Sequence, residues 1–428
     1  MILVQFLIVL VFLFFGMRIG GIGVGFAGGA GVMVLSALGA TPGELPMLVI
    51  VFIMVVIVAI AAMQEAGGIE YLVNLTERML RRYPRLLIIT APISTWLLTM
   101  MASTGQVSFA CMPVIVGVAK ENQIRPTRVL SISVAASLLG IVASPISAAV
   151  IFFSGILEKN HQGWGYIELI AVSIPSTFLA LLCTSVFYLI WDRLRQNDRL
   201  ESPGNYQSSR SAEIRKGARL SVFFFITGLV IVLVYAIVVS PKLGLIANPV
   251  LDSGQARISV MMAVALCITA FCQVNVDKIP ATTVFKTGMT SCICILGVAW
   301  LGSTFMDSNQ VWLQHFASEW LLDSPVLMAV IIMLASSFLY SQAAATKILF
   351  PVALALGVAP ATLVACFPAT ATLFILPNYP TLLAAVTMDD TGSTRLGIRI
   401  IDHPFLLPGL IATILSILFA AGLSWLII

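Results

Sequence analysis

"SSFLYSQAAATKILFPVALALG", residues 336–357, contains one charged residue, Lys347, and the nearest charges along the chain are Asp323 and Asp389. A cation isolated in so long an apolar run has to be explained. An ammonium in a bilayer core costs at least about 2.5 kcal/mol on insertion scales, so its default reading is functional. Two readings stand side by side. The ammonium meets an anionic substrate, or it snorkels or pairs with Asp389 or Asp390 for structural reasons.

The rest of the chain is of the same kind. It is 59% hydrophobic and 10% charged, with a mean hydropathy of +1.04, whereas a soluble domain carries roughly 25% charged residues. Apolar runs that approach or exceed the ~20 residues of a membrane-spanning helix include 86–103, 169–191 and 220–239. The fold class is an all-α polytopic membrane protein. The net charge of +4 is spread over membrane-flanking loops, so no nucleic-acid partner is expected. The seven cysteines lie in apolar segments and read as small hydrophobes without disulfides. Cys292 and Cys294 stand at i, i+2 and point to different sides of a helix, and the three histidines lie in or near loops. No metal cluster, nucleophile–base arrangement or HExxH is visible, which argues against an enzyme. The first 15 residues lack a basic n-region and a cleavage site and read as a retained helix.

Basic residues concentrate in "ERMLRRYPR" (77–85), "KENQIRPTR" (120–128) and the stretch 192–219. The positive-inside rule makes all three cytoplasmic. An even number of crossings must then separate the first two. The interruption at Ser103-Thr104-Gly105 offers a re-entrant hairpin that enters and leaves on the cytoplasmic side. Carried outward, this places both termini in the periplasm. It leaves Lys159, Lys242, Arg257 and Lys347 as the exceptions to the charge rule.

Each half now reads as three crossings, a hairpin, an interrupted segment and a further crossing. Five crossings is an odd number, so the second copy is inverted. The first repeat is 1–191, with scaffold helices in 1–65, a re-entrant hairpin at 86–120, an interrupted helix at 126–157 and a helix at 165–191. A mobile cytoplasmic linker, 192–218, leads to the second repeat, 219–428. Its scaffold helices lie in 219–304, its hairpin at 323–358, its interrupted helix at 360–390 and its last helix at 406–428. "MPVIVGVAKENQIRP" (112–126) resembles "FPVALALGVAP" (350–360), and "SPISAAV" (144–150) resembles "YPTLLAAV" (379–386), in the same order.

Inverted repeats with matching broken helices point to a secondary transporter. Half-helix N-termini suit anions, and freed carbonyls suit Na+. Polar residues gather at the breaks: Ser103, Thr104 and Gly105 with Gln106 and Ser108; Ser144, Pro145 and Ser147; Ser341 and Gln342 with Thr346 and Lys347; Asn378 and Tyr379 with Thr381. These, Gln106 apart, are the candidate substrate-binding residues. "MDDTGSTR" (388–395) reads either as a solvated helix end or as a coupling or gating element through Asp389, Asp390 and Thr391. The glycine-rich stretch 16–32 lacks the features of a phosphate loop and reads as close helix packing, in a rigid part or a dimer contact.

Several long stretches carry a resemblance: "GIGVGFAGG" (21–29), "AAMQEAGGIEYLV" (61–73), "ASPISAAV" (143–150), "TSCICILGVAWLG" (290–302), "LYSQAAATK" (339–347), "FILPNYPTLLAAV" (374–386) and "MDDTGSTR". The chain resembles the anaerobic C4-dicarboxylate transporters of bacteria, the DcuA/DcuB type. The resemblance implies exchange or uptake of fumarate, malate, succinate and aspartate in the inner membrane. It also implies a homodimeric elevator carrier with scaffold and transport domains, embedded in membrane lipid, with a sensor kinase as a further partner. The wider superfamily binds carboxylate, and often Na+, at Ser/Asn-Thr hairpin tips. Here the tips read Ser-Thr-Gly and Ser-Gln-Ala with Lys347 added. No resident cofactor is implied, and Na+ or H+ is left as the coupling ion. A carrier of another organic anion is the rival reading within transport.

Overall fold

The computed structural model describes residues 2–19, 22–45, 47–105, 107–159, 163–195, 215–239, 246, 249–251, 253–317, 325–339, 341–376, 379–389, 391–395 and 402–427. Gln106, Asn378 and Asp390 fall outside the described residues, as does 196–214 of the expected linker. Every regular element among the described residues is helical.

The first half contains α1 (Ile2–Ile19), α2 (Gly23–Ala37), α3 (Met47–Glu65), α4 (Gly68–Arg82), α5 (Leu87–Ala102), α6 (Val107–Glu121), α7 (Pro126–Ala143), α8 (Ala148–Lys159) and α9 (Tyr166–Arg195). The second contains α10 (Ala218–Val239), α11 (Ser253–Phe271), α12 (Thr283–Ala317), α13 (Pro325–Leu339), α14 (Gln342–Ala355), α15 (Pro360–Cys366), α16 (Pro380–Met388) and α17 (Leu406–Ile427). A 3₁₀ turn, Phe367–Ala371, continues α15.

Among the described residues, seven helices are long and apolar enough to cross a membrane, or eight if the bent pair α3–α4 is one span. The chain is thus a multi-pass membrane protein. Some apolar segments are short helices among the described residues. With 15 residues α2 reaches only about 22 Å at the α-helical rise, against a hydrocarbon core of about 30 Å. The basic stretch 77–85, read from the sequence for its charge alone, is largely helical. The helix α4 runs through it to Arg82, because Ile69, Leu72, Thr76 and Leu80 recur at helical spacing and bury one stripe.

The breaks have local causes. Pro145 follows Ser144, whose ψ of 120° is extended, as the residue before a proline prefers. The Val150 amide then donates to Ser147 Oγ (3.2 Å), which caps α8. Tyr379, before Pro380, is extended in the same way. At the first hairpin tip Ser103 adopts a left-handed φ of 56° and closes α5. At the second, Ser341 Oγ accepts from the Ala344 amide (3.2 Å) and opens α14.

Packing follows a crossed pattern. α2 packs on α12 and α3 on α11; α6 packs on α16 and α8 on α14; α9 packs along α17. Glycine permits the first of these contacts, since a Cβ on Gly28 or Gly297 would collide with the facing backbone. The glycine-rich stretch therefore serves close packing within the chain. The seven cysteines are free, and Cys183 is exposed.

Candidate functional site

The last turns of α7 bring the breaks together. A methyl group on Gly105, at the first hairpin tip, would lie 3.5 Å from Thr381 Cγ2 and 3.8 Å from Ile141 Cδ1. That tip therefore touches both the start of α16 and the end of α7. From the second hairpin, Gln342 Nε2 donates to the Leu138 carbonyl (2.8 Å). Residues 138–141 of α7 thus meet both tips, three residues before the first break at Ser144.

Many polar groups here are tied up locally. Ser108 Oγ donates to the Gly105 carbonyl (2.5 Å), and Thr346 Oγ1 to the Gln342 carbonyl (2.8 Å). Ser337 Oγ donates to the Thr372 carbonyl (2.6 Å), pinning the first arm of the second hairpin to the second break. Tyr166 OH donates to the Pro145 carbonyl (2.8 Å), holding the first break against the start of α9. Other groups are left over. Ser144 Oγ, Gln342 Oε1, Thr381 Oγ1 and Lys347 Nζ are buried with no hydrogen-bond partner among the described residues. So is Thr99 Oγ1, a residue that sequence reasoning passed over because it lies inside α5 and not at a break. A buried group left unpaired costs about 1–3 kcal/mol. All five of these groups lie on elements that meet around α7.

Lys347 sits in the second turn of α14 and is 3% exposed. Its ammonium lies 5.2 Å from the centre of the Phe152 ring on α8. Such a cation–π contact supplies about 0.5–2 kcal/mol, less than the desolvation of an ammonium. The Cys292 thiol of α12 is a further electrostatic neighbour among the described residues. Phe153, Phe350 and Phe367 stack as a triad, with centroids 4.6–5.9 Å apart, and lock α8, α14 and the second interrupted segment together beneath it.

Asp389 does not neutralise this cation. Its carboxylate accepts from the Thr391 amide and hydroxyl, from Ser393 Oγ and from the Thr394 amide. Thr127 Oγ1, at the start of α7, donates to Ser393 Oγ (2.8 Å) and docks this closed turn. Ser103, Thr104, Ser147, Ser341 and Tyr379 border the same breaks.

A sequence model of the family described as "Anaerobic c4-dicarboxylate membrane transporter" matches residues 1–428. The chain is 47% identical over 426 residues to the C4-dicarboxylate transporter DcuA of Escherichia coli K12, covering 98% of each. It is 44% identical over 424 residues to the C4-dicarboxylate transporter DcuA of Wolinella succinogenes, covering 97% of this chain and 98% of that one. It is 32% identical over 441 residues to the anaerobic C4-dicarboxylate transporter DcuB of Escherichia coli O6:H1, covering 97% of each. Among solved structures the fold is similar to the YdaH transporter of Alcanivorax borkumensis, with a TM-score of 0.61, 14% identity and 98% of each chain covered. At that identity the likeness is of fold alone. The match along the whole length and the shared helical fold lead to one conclusion: this chain belongs to the anaerobic C4-dicarboxylate membrane transporter family.

Proposed function

We propose that this chain is an inner-membrane carrier that exchanges or takes up C4-dicarboxylates such as fumarate, succinate, malate and aspartate. The observation that carries the reading is Lys347, a buried ammonium without a hydrogen-bond partner among the described residues, beside broken helices. A dicarboxylate brings two negative charges. Half-helix donors and the hydroxyls of Ser144 and Thr381 satisfy one carboxylate, and Lys347 offsets the other. A site that already holds a cation suits anion-for-anion exchange; Na+ or H+ coupling is the alternative that the assay separates. The relatives are named as transporters, in keeping with a protein that is not an enzyme.

The mechanism in this reading is an elevator. α5–α9 and α13–α17 move as one body against α1–α3 and α10–α12, in a homodimer with periplasmic termini. The crossed packing of α2–α12 with α11–α3, and of α6–α16 with α14–α8, supports two inverted repeats, because a pseudo-two-fold axis exchanges the members of each pair.

The test is counterflow. Purified protein in liposomes loaded with unlabelled fumarate should accumulate labelled succinate, with and without Na+. No uptake above protein-free liposomes would defeat the reading and would favour a pure partner of a sensor kinase. A finer test uses the orphaned hydroxyls. Thr381→Val and Ser144→Ala remove a buried group with no partner, so the thermal midpoint should stay level or rise. The same changes remove a bond to a charged ligand, and the KM for succinate should rise roughly ten- to a hundredfold. A KM unchanged in both variants would move the carboxylate elsewhere.

A further inference from the structure

The helix α4 has three faces, and two are accounted for. Ile69, Leu72, Thr76 and Leu80 are buried against the protein. On one flank Arg81 binds Glu77 (2.9 Å) and Glu121 (2.6 Å), which ties α4 to the end of α6. The other flank carries Leu75, Met79 and, past the helix end, Tyr83 and Leu86, all exposed. Arg78, Arg82 and Arg85 are exposed among them and form no ion pair among the described residues. Arg219, from the start of α10, lies 5.6 Å over the Tyr71 ring and extends the basic edge. Glu70 and Glu77 fall on the Arg81 side, at roughly 3.6 residues per turn, so acids and unpaired arginines are separated around the helix.

Direction agrees with composition. Gly67, at a φ of 84°, lets the chain turn, and α4 leaves the axis of α3 at 67°. α3 packs on α11, one of the helices long enough to cross the membrane, and a helix bent 67° from α3 lies nearer the bilayer plane than its normal. Its arginines place it on the cytoplasmic side. Apolar residues bordered by arginines on a helix in that plane are the pattern of an interfacial helix.

We propose that the Leu75–Arg78–Met79–Arg82 flank of α4, with Arg85, docks on anionic phospholipid headgroups of the cytoplasmic leaflet. The apolar side chains enter the acyl boundary, and the guanidiniums take phosphate oxygens. A second copy of the chain is a poorer occupant, since a two-fold contact would set arginines against arginines. The site needs no assumption about the substrate, so it stands or falls apart from the transport reading.

The test is titration of the purified full chain in neutral detergent with short-chain phosphatidylglycerol, phosphatidylcholine or inorganic phosphate, followed by thermal unfolding. Phosphatidylglycerol should stabilise at lower concentration than phosphatidylcholine, and phosphate should have no effect. In Arg78→Gln/Arg82→Gln/Arg85→Gln the half-saturating phosphatidylglycerol concentration should rise about fivefold for each charge removed. Lys278→Gln, an exposed basic residue elsewhere, should leave the curve in place. Equal response to the two lipids, a full effect of phosphate, an unaltered triple variant or an equal shift in Lys278→Gln would each overturn the proposal.

Discussion

Lys347→Ala should reduce dicarboxylate exchange to background while the protein stays folded, with a thermal midpoint equal to or above that of the parent. Both halves of the result follow from the same fact. The ammonium is 3% exposed, and among the described residues the Phe152 ring and the Cys292 thiol are its recorded neighbours. In the substrate-free protein this is a desolvated charge with little in return, so its removal relieves the fold. With substrate bound it meets a carboxylate, and a hydrogen bond to a charged group is worth about 1.5–3 kcal/mol, more where water is excluded. Lys347→Arg should retain a fraction of exchange, because the charge remains but the planar fork fits a second carboxylate geometry. A structural cation would behave in the opposite way, with a poorly folded Ala variant. Succinate exchange at parental rate by a stable Lys347→Ala protein would remove Lys347 from the site.

That residue was legible in the sequence because it violates a pattern, a charge in an apolar run. The breaks were legible because proline and left-handed turns interrupt hydrophobic runs, as at Pro145 and Ser103. Less visible was anything that depends on which helix faces which. The reading of an Asp389–Lys347 pair rested on proximity along the chain. The structure instead spends the Asp389 carboxylate on Thr391, Ser393 and Thr394 of its own turn. Leu138 offers its carbonyl to Gln342, 204 residues away, and no local signal marks a backbone acceptor of that kind. α4 went unseen because its arginines were read for topology, and charge counting hides the helical spacing of its buried residues.

Arg257 was an exception to the charge rule read from the sequence, and its surroundings explain why it is tolerated. The side chain is 7% exposed, with a guanidinium nitrogen 3.6 Å from Glu158 at the end of α8. It also lies 4.8 Å over the Tyr166 ring and 5.9 Å over Phe52. Tyr166 in turn holds the Pro145 carbonyl at the first break. Arg257 and Phe52 stand on α11 and α3, assigned to the fixed scaffold; Glu158 and Tyr166 stand on α8 and α9, assigned to the moving body. If that division is right, this contact must open in every cycle. Cysteines introduced at positions 158 and 257 and bridged by a short bis-maleimide should therefore stop succinate exchange. Each single-cysteine variant treated with the same reagent should continue to exchange, which controls for the native cysteines and for loss of the ion pair. The effect is expected to be complete for every bridged molecule, because a covalent tether cannot be outrun as a salt bridge can. Bridged protein that exchanges at the unbridged rate would show that α8 and α11 travel together. The carrier reading would survive that result, and the elevator division would not.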